Sequence, residues 1–345
     1  STDQCLSIEP QLEKIDDTSE VRCFNYKQTS PETWGNPEPR INKPDPTASP
    51  VFTAKGLSHE YGKTQKQFVF FGTETNRPVR ALNDVGFEIP SGKTLGIVGE
   101  SGSGKSTIAR AVVGLIEANE GQLQLRNQEV NRSVEKRSTE DKSAIQMVFQ
   151  NPTASLNPKL KIKHTLVRSL GRFAGLNKKD SEAKAEDLIT SVGLDSSYLN
   201  RLPGELSGGE QQRVAIAGAF AANPEIVVAD EAVSALDVSV QAQVLNLLED
   251  RQIELGNSYV FITHDLGVVR YISDEIMVVY AGHIAEYGSA ESVLSEPSHT
   301  YTEALLSAAP IPDPTAVTEH IRLEVAVPTM REAFKGCFFA SRCPR

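Results

Sequence analysis

The chain has 345 residues, a net charge of −10 and 39% hydrophobic residues, enough for one large α/β domain with appendages or for two small domains. The acidic balance argues against a broad nucleic-acid surface, which needs a basic stripe, but not against a single nucleotide, whose phosphates need only local donors. No apolar run approaches the roughly 20 residues that span a bilayer, no charged-then-apolar leader opens the sequence, and four cysteines in this length do not make a disulfide scaffold.

In chain order, residues 1–23 carry Cys5 and Cys23 and stand apart from the rest of the chain. Six prolines between Pro31 and Pro50 make 24–50 an extended, semi-rigid linker that holds the single tryptophan, Trp34. From Val51 the pattern turns globular. Short β-rich runs at Val51–Thr53, Leu95–Val98, Ala144–Phe149, Glu225–Ala229, Ser258–Thr263 and Glu275–Val279 alternate with helical stretches, the signature of a mostly parallel sheet covered by helices. Gln150–Glu205 lacks a strand pattern and predicts a helical insertion, which the next helix extends to about 222. About Pro310–Arg345 is again proline-marked and forms a small C-terminal extension with Cys337 and Cys343.

Two segments carry chemistry on the residues alone. Gly99-Glu-Ser101-Gly102-Ser103-Gly104-Lys105-Ser106 follows an apolar run and opens a helix that includes Thr107, the context in which GxxxxGK[ST] binds phosphate. Glycines let the backbone turn its amides inward, the helix start adds partial positive charge, and Lys105 adds a full one. Ser106 supplies a hydroxyl for Mg²⁺. Further on, Ile226–Glu231 is an apolar strand that ends in two carboxylates. Asp230 is placed to hold the Mg²⁺ shell and Glu231 to polarise an attacking water, so the implied ligands are ATP and Mg²⁺.

A third segment identifies the family. Leu206-Ser207-Gly208-Gly209-Glu-Gln-Gln-Arg213 resembles the signature motif of ABC ATPases, a Ser-Gly-Gly turn before a helix that offers amides to a phosphate. The resemblance implies an α/β fold: a P-loop ABC ATPase with a mostly parallel sheet, an antiparallel β subdomain, a helical subdomain and a small C-terminal extension. It also implies that the signature serves ATP held by a second ABC ATPase domain, fused or separate. Four further positions resemble family marks. Asp237 lies in a D-loop and stands where it would cap the following helix; His264 resembles the switch histidine. Gln150 resembles the Q-loop glutamine, which touches Mg²⁺ or water, and Tyr61 the aromatic that stacks on adenine. Ala232 and Gly218 depart from the pattern, replacing a common proline and a common arginine, and neither removes a group that hydrolysis needs.

QNPTASLNP after Gln150, the stretch from His264 to Gly288, and SHTYTEALLSAAP resemble the dipeptide, oligopeptide and nickel importer branch. That branch implies two transmembrane permease subunits, an extracytoplasmic solute-binding protein, and a place on the cytoplasmic face of the bacterial inner membrane. It also implies a four-cysteine iron–sulfur motif, with Cys337 and Cys343 as its first pair and Cys5 and Cys23 resembling the second, in a segment that ends a preceding copy. On this reading 51–309 is the ATPase domain and 310–345 the importer-type extension. The rivals are a soluble ABC ATPase, which would carry heptad arms or basic inserts, and a non-hydrolysing half, against which Glu231 and His264 speak.

Overall fold

A computed structural model describes residues 9–14, 19–23, 49–62, 65–69, 72–76, 78–234, 236–309, 321, 323, 330, 334 and 336–344. Cys5, Trp34 and nearly all of the 24–50 linker lie outside them. The strands begin with β1 (Glu13–Lys14), β2 (Ser19–Val21), β3 (Pro50–Tyr61), β4 (Gln65–Val69), β5 (Gly72–Asn76), β6 (Val79–Pro90) and β7 (Thr94–Val98). They continue with β8 (Glu120–Leu125), β9 (Gln128–Glu129), β10 (Ile145–Val148), β11 (Ile226–Asp230), β12 (Ser258–Ile262), β13 (Glu275–Tyr280) and β14 (His283–Ser289). The helices are α1 (Lys105–Val113), α2 (Thr139–Ala144), α3 (Ile162–Phe173), α4 (Lys178–Ser191) and α5 (Gly208–Phe220), then α6 (Val238–Leu255), α7 (Leu266–Ile272), α8 (Ala290–Ser295) and α9 (Thr300–Ser307). Among the described residues no helix is long and apolar enough to cross a membrane.

One sheet organises the molecule, in the order β1-β2-β14-β13-β7-β12-β11-β10. Its five strands from β13 to β10 run parallel. β7, β11 and β12 are buried at every position, as strands covered on both faces must be. Successive side chains alternate between the faces. Leu95, Ile97, Ile226, Val228, Val260 and Ile262 join one core with α1 and a second, antiparallel sheet, β6-β3-β8-β9. Val227, Ala229, Tyr259 and Phe261 join the other core, with α3 to α6. Within it Ile162, Leu166 and Leu170 recur every four residues along α3 and fix that helix's apolar face.

Several elements differ from the sequence reading. The run at Val51–Thr53 lies in a strand that begins at Pro50 and continues to Tyr61, and a hairpin, β4–β5, follows it where the sequence reading placed no strand. Within the N-terminal segment 1–23, β2 extends the sheet at its edge. Val21, Glu20 and Ser19 pair antiparallel with Glu286, Tyr287 and Gly288, and the Arg22 amide donates to the Ala285 carbonyl at 3.0 Å. The physical reason is the outer edge of β14, a row of backbone groups that any nearby strand satisfies. The C-terminal extension lands beside it. Phe338 and Phe339 are each 1% exposed and close a third core with Tyr280, Tyr301, Val293 and Leu294.

Candidate active site

The register of the parallel strands gathers the chemistry at one edge. Asp230 lies beside Ile262 and Ile262 beside Ile97, so the loops after β7, β11 and β12 leave the sheet together. This is where open α/β sheets bind ligands. The loop after β7 must pass close to β13: a Cβ on Gly99, whose φ is 151°, would lie 2.1 Å from the Val279 carbonyl oxygen, so only glycine fits. Ser101 and Gly102 form an exposed crest, while Ser103 and Gly104 are buried. Gly104 starts α1 without a side-chain cap, which leaves the first-turn amides of that helix, including that of Thr107, to an anion.

Lys105 is 6% exposed. Its ammonium donates to the carbonyls of Gly99 and Glu100 at 2.7 and 2.8 Å, and burial pushes its pKa below the ordinary lysine value. The Ser103 hydroxyl is buried without a hydrogen-bond partner among the described residues. A cation held in a tight loop beside an unmatched polar atom suits a polyanionic ligand.

The Ser106 hydroxyl donates to Asp230 Oδ1 at 3.0 Å. Burial raises the Asp230 pKa above the usual carboxylate value, with the Ser106 hydrogen bond opposing the rise. A divalent cation shared by this hydroxyl and carboxylate would favour the ionised form, and an all-oxygen donor pair is the chemistry Mg²⁺ prefers, so the residues fit the metal.

Glu231 sits in the left-handed region, φ 48°, which costs a non-glycine residue on the order of 1 kcal/mol. Its amide donates to the Ile262 carbonyl at 2.9 Å, and the Ser234 hydroxyl donates to its carbonyl at 3.0 Å, so the turn is held from both sides. Its carboxylate lies between two of the predicted residues. Gln150 Nε2 donates to Oε2 at 2.7 Å, and His264 Nδ1 stands 3.6 Å from Oε1. Loops after β10, β11 and β12 thus converge on one carboxylate beside the Ser106–Asp230 pair.

The remaining predicted residues fall in two places. Tyr61 ends β3 opposite Val79 on β6, two residues before Ala81, whose carbonyl oxygen would lie 2.6 Å from a Cβ on Gly104. Its ring is 39% exposed and meets the edge of His59 at 4.6 Å. Ser207 and Gly208 are exposed and Gly209 half-buried at the start of α5, on the helical layer. There Ser207 and Glu210 form a reciprocal capping box, and Tyr198 donates to Glu210 at 2.5 Å. Asp237 occupies the cap position of α6 but makes no side-chain capping bond, so the expected capping hydrogen bond is not formed.

The cysteine expectation fares differently. Cys23, Cys337 and Cys343 are each half-buried. Among the described residues no three Cys, His, Asp or Glu side chains are gathered closely enough to hold a metal, and Cys5 lies outside those residues. A four-thiolate cluster needs its sulfurs at one point, and Cys337 and Cys343 instead pack against the third core. Sequence reasoning also missed Glu100 within the loop and the two residues that grip it, Tyr301 and Arg342. The one available signal was a carboxylate inside a phosphate-binding motif.

Comparisons with known proteins bear on the same elements. Residues 82–234 match the family described as ABC transporter, and residues 285–345 match the C-terminal region of oligopeptide/dipeptide transporters. The chain is 42% identical to a di/tripeptide transport ATP-binding protein of Pseudomonas aeruginosa, over 85% of this chain and 90% of that one. It is 44% identical to a dipeptide transport ATP-binding protein of Escherichia coli, over 86% and 87% of the two chains. Among solved structures it resembles an ATP-binding cassette in a dimeric, post-hydrolysis state bound to ADP and phosphate. The TM-score is 0.59 and the identity 26%, covering 69% of this chain and 98% of that one.

Proposed function

The chain belongs to the ABC transporter ATP-binding family, in its oligopeptide/dipeptide branch, and from that premise we propose that it hydrolyses ATP to drive import of di- or oligopeptides. The observation that carries the chemistry is the Glu231 carboxylate, set between Gln150 and His264 and next to the Ser106–Asp230 pair. In this reading Lys105 and the amides of 99–107 bind the phosphates, and Tyr61 offers its ring to the base. Ser106 and Asp230 would hold Mg²⁺, which when bound would supply charge neutralisation at the phosphates. Glu231 orients the water and takes its proton, while Gln150 and His264 keep the carboxylate aimed. Phosphoryl transfer asks for little beyond such positioning and charge stabilisation.

Ser207, Gly208, Gly209 and Asp237 serve the ATP of a second ABC ATPase domain. The work goes to two permease subunits at the cytoplasmic face of the inner membrane, with an extracytoplasmic solute-binding protein delivering the peptide. ATP favours the closed pair of ATPase domains, and that difference in affinity is what can move a permease. The test is ATP turnover by this chain copurified with its permeases in vesicles. Peptide-loaded binding protein should raise the rate and labelled peptide should enter; turnover indifferent to peptide would contradict import.

A further inference from the structure

Glu100 is the one carboxylate in the loop 99–106, and it is out of place there. Amides, a helix start and Lys105 are arranged for a polyanion, so an unmatched carboxylate would repel the phosphates; its charge is felt at Lys105. The C-terminal extension meets that charge. Arg342 donates from Nη1 to Glu100 Oε2 at 2.7 Å and from Nη2 to Oε1 at 3.1 Å, a two-pronged grip that fixes both charge and orientation.

The guanidinium is itself held in place. Its side chain is only 6% exposed; it lies 5.7 Å over the Tyr280 ring; and its amide donates to the carbonyl of the buried Phe339 at 3.0 Å. Tyr301 of α9, whose ring contacts Phe339 at 5.5 Å, accepts the Glu100 amide at 2.8 Å. Both polar ends of Glu100 are therefore taken by residues more than 200 positions further along the chain.

We infer that Arg342 is a positioning residue for the phosphate loop: it neutralises and orients Glu100, so that the C-terminal extension sets the affinity for ATP. This rests on the ATP reading above. The inference has a signature that a structural role lacks, because the harm done by losing Arg342 must travel through the Glu100 charge.

The experiment is calorimetric titration of the full chain with MgATP, beside thermal melting of each variant. Arg342→Gln should bind about tenfold more weakly, a 1.4 kcal/mol change within the range of coupling between contacting residues. Arg342→Lys keeps the charge without the fork and should recover part of the loss. Glu100→Gln combined with Arg342→Gln should bind within about twofold of Glu100→Gln alone, since no carboxylate is left to neutralise. An Arg342→Gln chain that binds like the unaltered one overturns the inference. So does a double variant as weak as Arg342→Gln, or weakening that merely follows a lowered melting temperature. If the unaltered chain binds no ATP, the functional reading fails and takes this inference with it; if it binds and the variants do not differ, only the inference fails.

Discussion

The two surfaces proposed to handle ATP in this chain are built in opposite ways. The phosphate loop is a closed device: Lys105 is buried and bonded to its own loop, and Ser106, Asp230, Gln150 and Glu231 are tied by hydrogen bonds from different elements. The signature turn is an open one: Ser207 and Gly208 are exposed, and the hydrogen bonds of Ser207 go to Glu210 and Gln211 of its own helix. A surface with finished internal wiring can bind ligand alone. A shaped but exposed turn, with its amides at a helix start, is open to an anion brought from outside the chain.

Each side of this comparison can be pressed. The largest expected effect is on the closed side. Glu231→Gln keeps the shape and the Gln150 contact but cannot take a proton, so turnover in the assembled complex should fall at least about a hundredfold, the usual worth of a general base. ATP affinity should be retained. Phosphate release together with nucleotide binding checks both halves of the statement.

A smaller effect should come from pH, through a buried cluster around Phe338, where the rings of His283 and His299 stack at 4.6 and 6.1 Å and Glu286 accepts the His299 amide at 3.0 Å. Burial lowers the pKa of His283 to about 4 and of His299 to about 3, from 6.5, and raises that of Glu286 from 4.5 to about 7. Between pH 4.5 and 6.5 the unfolded chain binds two more protons at the histidines and one fewer at the glutamate. Stability therefore falls on acidification by about one proton's worth, roughly 1.4 kcal/mol per pH unit. Below 4.5 the glutamate's offset fades as the folded His283 begins to take up its own proton near pH 4, so the slope stays close to one proton. Urea unfolding from pH 7 to pH 4 should show this slope, and His299→Asn, which can still cap α9, should flatten it.

The smallest effect belongs to the open side. A Cβ on Gly218, inside α5, meets nothing within 4 Å, so Gly218→Ala should stabilise the chain by up to about 1 kcal/mol. A shift of the urea midpoint with an unchanged slope is the expected reading.

Much of the closed side was legible in the sequence because its chemistry is written locally. Strand, glycine turn, lysine and helix are contiguous from Thr94 to Val113, and an apolar run ending in Asp230–Glu231 can mean little else beside such a loop. What was not legible depends on distant pairing. β14 shows no cue of its own as the edge to which residues 19–21 attach, and the full length of β3 is fixed by its neighbours β6 and β8. The grip of Arg342 on Glu100 joins residues 242 positions apart, and its arginine sits in a tail that the sequence offered chiefly as a cysteine motif. The left-handed backbone of Glu231 was likewise invisible, since no glycine marks it.

The central claim, that this chain holds one half of its ATP site and lends the other half away, is tested most directly by MgATP affinity in two variants of the full chain. Lys105→Ala removes the buried cation of its own loop and should weaken binding by about tenfold to a hundredfold, the worth of a hydrogen bond from a charged group. Ser207→Arg crowds the exposed turn and should leave affinity within about twofold of the unaltered chain, as independent sites do, while blocking turnover in the complex. Equal loss of affinity in both variants would place the signature in this chain's own site and contradict the account.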